Sequence, residues 1–149
     1  MGWAVLTGLL ALAVTALFTG AAVYVNVAEQ PARLVLEDRP LLAEWSVSYP
    51  KGLRMQAPLA IVGFLLAALA WWQTGRLLWL AGGIALLANW PYTLLAIMPT
   101  NHALEATPPA EAGAASRRLI ERWGGLHAGR SALGALATLL MIWAASQGA

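Results

Sequence analysis

The chain carries two histidines, His102 and His127. His102 closes the third long apolar stretch and His127 lies near the start of the fourth, so both are expected at the same end of a helix bundle. Asn26 and Glu29 close the first apolar stretch and should emerge at that end too. Trp123, His127 and Arg130 fall at i, i+4 and i+7, which makes one helical stripe. Three chemistries suit such a set. A His and a Glu of the set could serve as acid and base on a bound organic molecule, with Arg130 stabilising an enolate or phenolate oxygen. His102, His127 and Glu29 or Glu105 could hold a single Fe, Cu or Mn ion. The two histidines could also ligate one haem. His102-x-x-Glu105 reverses the Glu-x-x-His pair of di-metal bundles, and its single copy argues against two metals. The choice between these, or no cofactor at all, stays open at this level.

The elements that must position these residues are membrane helices. Hydrophobic residues make up 60% of the 149 and charged residues 11%, against about a quarter charged in a soluble domain. Mean hydropathy is +0.65. A surface facing lipid explains the deficit, because charge is costly there. The net charge of +2, without a basic run interleaved with aromatics, excludes nucleic acid as a partner. With no cysteine, disulfides, thiolate metal sites and dithiol redox chemistry are excluded. The N-terminal residues Met1 to Ala4 include no Lys or Arg, so the first segment is expected to remain as a span rather than act as a cleaved signal.

Uncharged runs cover residues 1–28, 55–75, 77–104 and 131–149, and roughly 20 apolar residues cross a bilayer. They predict an all-α integral membrane four-helix bundle, one domain with spans near 3–28, 55–75, 77–98 and 123–147. Spans two and three join through a tight hairpin. Residues 29–54 carry mixed charges and are expected to form an ordered connection that roofs a pocket, with Pro50-Lys51-Gly52 as a turn or helix start. Ser116 is expected to cap the last helix. Eight of the nine Lys and Arg residues lie on the side of the two long connections. By the positive-inside rule that side is cytoplasmic and both termini are outside, in the inner or plasma membrane of a bacterium.

Several polar residues interrupt the apolar runs. Asn26, Glu29 and Arg33 share a face at i, i+3 and i+7, with Tyr24 nearby. Asn89, Pro91 and Tyr92 sit at an expected kink that exposes backbone groups to a cavity. Pro99 should break or restart the third helix beside Asn101. Gly125 and Gly129 flank His127 as a GxxxG pair for close helix contact. Trp72, Trp79, Trp90 and Trp143 read as interface anchors or core.

Four segments together resemble the anthrone oxygenase family of small four-span membrane proteins: 20–33 (GAAVYVNVAEQPAR), 52–59 (GLRMQAPL), 99–104 (PTNHAL) and 123–130 (WGGLHAGR). The resemblance implies oxidation of an activated benzylic carbon, as in the conversion of anthrones to anthraquinones. It carries over to Asn26, Pro99, Asn101, Trp123, His127 and Arg130. The resulting expectation is a membrane-embedded oxygenase for a small hydrophobic, aromatic substrate. Its expected catalytic set is His127, Arg130, Asn101, Asn26 and Glu29. Tyr24, Asn89, Tyr92 and Trp123 would contact substrate. His102, His127, Glu29 and Glu105 would serve as ligands if a metal is present. The alternative is a non-catalytic module that binds haem, metal or lipid, or assists a partner; a transporter ranks third, since a single four-helix chain leaves little room for alternating access unless it forms a homo-oligomer.

Overall fold

Proline and glycine punctuation divides the chain into long helices joined by short turns. The computed structural model describes residues 2–147. Among them, four helices are long and apolar enough to cross a membrane: α1 (Trp3–Leu34), α2 (Asp38–Thr74), α3 (Leu77–Glu105) and α4 (Ala114–Ser146). The protein is an integral membrane four-helix bundle. α2 has 37 residues, or about 55 Å at 1.5 Å per residue, against a hydrocarbon core of about 30 Å. The surplus turns lie at the end of the α1–α2 and α3–α4 connections.

The helices run past the expected apolar spans. Residues 29–54 form no separate lid, because α1 runs on to Leu34 and α2 begins at Asp38. The ordered connection is itself helical, and Pro50, Lys51 and Gly52 lie inside α2. Of the charges that marked a connection, all but Glu37 are helical residues. Arg117 of α4 fixes the corner between α1 and α2. Its guanidinium donates to Asp38 Oδ1 at 2.5 Å and to the carbonyls of Leu34 and Leu36 at 3.1 and 2.5 Å, satisfying acceptors that a helix end leaves free. α4 begins earlier than expected, at Ala114 with Gly113 as its N-cap, and Ser116 sits in the first turn, accepting from Gly113 N at 3.1 Å and donating to Gly113 O at 2.9 Å. The α2–α3 hairpin turns at Gly75, whose φ of 69° is the left-handed conformation that glycine adopts freely.

Each helix packs on its neighbours in sequence, and α1 closes the ring against α4. Small residues permit the closest approaches. A Cβ added to Gly8 would lie 2.7 Å from the Trp79 ring, and one on Gly134 would lie 2.8 Å from Thr19 Oγ1 and 3.2 Å from Phe18. The expected Gly125–Gly129 pair is corrected in part. Gly125 faces open space, while Gly124 abuts Gln30 and Gly129 abuts Tyr92. The close approaches of α4 are therefore at Gly124 and Gly134 against α1 and at Gly129 against α3. Gly134→Val should cost about 1–3 kcal/mol by overpacking and lower the melting temperature in detergent, whereas Gly125→Ala should leave it unchanged. Of the tryptophans, Trp79 is core, while Trp72 and Trp143 face outward.

Candidate functional site

Two prolines shape the walls of the site. Pro31 and Pro99 offer no backbone N–H, and their rings collide with the carbonyl four residues earlier. In each case the preceding turn widens to a π-helix, over Val25–Glu29 in α1 and Thr93–Ile97 in α3. Gln30 N–H donates to Val25 O, and Met98 N–H to Thr93 O, each five residues back. Such π-bulges recur at functional sites. Here each bulge presents a polar side chain, Asn26 or Thr93, to α4.

Asn26 makes three contacts with α4. Its Nδ2 donates to Gly124 O at 2.9 Å. Its Oδ1 accepts from Ser131 Oγ at 2.7 Å and faces His127 Nδ1 at 3.1 Å. A backbone carbonyl can only accept, so the Gly124 contact fixes the orientation of the amide. Oδ1 is then the atom facing His127, and Nδ1 must carry the proton. The neutral imidazole therefore keeps its lone pair on Nε2. Trp123 covers the ring with centroids 4.9 Å apart, and the Arg33 guanidinium lies 5.4 Å from the Trp123 centroid.

One turn further on, Arg130 is 7% exposed. Nη1 donates to Thr93 Oγ1 at 3.1 Å and Nη2 to Gln56 Oε1 at 2.9 Å. Both partners are neutral, Nε has none, and no carboxylate pairs with Arg130 among the described residues. Buried cations are ordinarily paired. Arg33 shows the ordinary arrangement: it is buried and pairs with Glu29 and, at 3.0 Å, with Glu44, while donating to Ser48 Oγ at 3.0 Å. Glu29 is thus committed to an ion pair at the rim.

Opposite α4, Asn101 is fully buried and its Nδ2 donates to the Tyr49 hydroxyl oxygen at 2.9 Å. With that oxygen accepting, the Tyr49 proton is available to the cavity. Tyr49 stacks on Trp45 at 5.0 Å, and Trp45 meets Trp123 edge-on at 6.2 Å. These groups surround a cavity of about 320 Å³ whose walls include Glu29, Tyr49, Gln56, Asn101, His127 and Arg130. The volume lies at the lower end of the ~300–1,000 Å³ of small-molecule sites.

The structure brings His127, Arg130, Asn101, Glu29 and Trp123 to this cavity, with Asn26 behind His127. Other expected residues lie elsewhere. Tyr24 is 59% exposed on the outside of α1. Tyr92 is not in the cavity wall, and its hydroxyl donates to Leu126 O at 2.8 Å. Asn89 donates to Leu86 O at 3.0 Å and lines a neighbouring groove. His102 and Glu105 are exposed on α3. No three His, Asp or Glu side chains gather into a metal-binding group among the described residues. The expected metal set and the paired-histidine haem site therefore do not fit this arrangement, because the helical turn at Asn101 that buries the amide sends His102 outward. Gln56, Tyr49 and Thr93 are lining residues that sequence reasoning missed. Gln56 had a usable signal, an amide within an uncharged run, the same signal that marked Asn26.

A family model described as anthrone oxygenase matches residues 45–140. That stretch holds Tyr49, Gln56, Thr93, Asn101, Trp123, His127 and Arg130. Comparison with curated proteins and with solved structures finds no match. With most of its length and most of its cavity wall under that match, the chain belongs to the anthrone oxygenase family.

Proposed function

We propose that the protein is a membrane oxygenase that oxidises the activated methylene of a flat aromatic ketone of the anthrone type. The observation that carries this reading is a buried guanidinium without a carboxylate, in one apolar cavity with an imidazole whose Nε2 lone pair is free. Such a cavity favours a ligand that becomes an anion when it gives up a proton. His127 Nε2 takes the benzylic proton, and the imidazolium formed keeps its Nδ1–H on Asn26. The electron pair moves onto the ketone oxygen, where Arg130 and the Tyr49 hydroxyl hold the enolate. The carbanion then adds molecular oxygen to form a C–O bond, and the peroxide oxygen is protonated. Removal of the second benzylic proton breaks the O–O bond, giving a ketone and water.

The concentration of basic residues at this end supports placing the cavity on the cytoplasmic side. The purified protein in detergent should consume one O2 per anthraquinone formed from anthrone. Absence of protein-dependent oxygen uptake would remove the reading. Tyr49→Phe should lower kcat roughly tenfold, the worth of a neutral hydrogen bond of about 1–1.5 kcal/mol, with KM little changed in steady-state assays.

A further inference from the structure

We propose that the groove between α2 and α3 is the lateral doorway through which a flat apolar aromatic molecule passes from the bilayer to the His127 cavity. The chemistry of what passes rests on the oxygenase reading; the doorway rests on geometry.

The groove encloses about 180 Å³ and opens on the outer face of the bundle, where Leu94 is 54% exposed and Trp90 39%. Its other walls include Ala57 and Met98, so its lining is almost wholly apolar. It adjoins the cavity, and Leu53, Thr93 and Arg130 line both. These side chains form the shared wall between groove and cavity.

The backbone explains why the opening is here. α2 and α3 pack closely from the hairpin as far as Leu87, then separate along the half of α3 that carries Pro91, the π-turn and Pro99. Side-chain hydrogen bonds span the gap at its two ends, from Trp90 Nε1 to Ala57 O at 3.3 Å beside the groove and from Asn101 Nδ2 to the Tyr49 hydroxyl at 2.9 Å beside the cavity. The inner barrier is the Arg130 side chain, held across it by Thr93 on α3 and Gln56 on α2. An enolate that draws Arg130 inward would compete with those two bonds, so ligand binding and the state of the barrier are coupled.

The chain has no cysteine, which makes single-site labelling clean. Ala57→Cys, folded in nanodiscs and then modified with a benzyl methanethiosulfonate, narrows the groove without touching the cavity. Leu139→Cys, 64% exposed on α4, is the control. Binding of anthraquinone, a probe that does not turn over, is followed by quenching of tryptophan fluorescence. The modified Ala57→Cys protein should show association and dissociation both slowed about tenfold with Kd nearly unchanged, as for a hindered path to an intact site. The modified control should match the wild type. Unchanged rates at Ala57→Cys, or no quenching by anthraquinone in the wild type, would overturn the doorway. Slowed binding in a protein that fails to oxidise anthrone would leave the doorway standing and remove the oxygenase reading. Undisturbed rates with intact oxidation would do the reverse.

Discussion

His127→Ala is expected to lower the turnover of anthrone by about 10²–10⁴-fold, the usual contribution of a positioned base. The bundle should stay folded. The imidazole makes one hydrogen bond, to Asn26, and Asn26 keeps its contacts with Gly124 and Ser131. Oxygen uptake measured beside thermal unfolding in detergent separates the two effects. A large loss of turnover with an unchanged melting temperature is the expected result. Asn26→Leu should lose activity less steeply, because it frees the tautomer and the ring orientation but leaves the base in place.

Arg130→Met is expected to reduce kcat by about 10²–10³-fold, the range for removing a donor to a developing oxyanion, with a smaller change in KM. Stability should hardly fall. Removing an unpaired buried charge offsets the loss of a donor by the Gln56 and Thr93 oxygens, and no carboxylate would be left uncompensated. Arg130→Lys should recover part of the loss, since the charge returns without the two-pronged contact to Thr93 and Gln56. Steady-state kinetics on the three proteins checks the order wild type, Lys, Met. Equal kcat in wild type and Met would show that Arg130 holds helices together and no anion.

Much of this arrangement was legible in the sequence because membrane physics is strict. Uncharged runs located the helices, and the Trp123, His127, Arg130 stripe pointed inward because ionisable groups avoid lipid. Helix ends were less legible. Charge marks where hydrocarbon stops, not where a helix stops, so α1 and α2 run well past their apolar segments. His102 misled for a local reason: it neighbours Asn101 in sequence, and successive helical residues point about 100° apart. Tyr49 lay hidden in a stretch that reads as a connection. Thr93 reaches Arg130 from a π-turn, which breaks the 3.6-residue periodicity that sequence reading relies on.

The role of His127 as the base can be tested apart from oxygen. Under strict anaerobiosis in D2O, nuclear magnetic resonance follows exchange of the methylene protons of anthrone in the presence of the protein. Wild-type protein should accelerate exchange well above the buffer rate, and His127→Ala should return it to that rate. Exchange no faster than buffer in the wild type, or undiminished in His127→Ala, would contradict proton abstraction by His127.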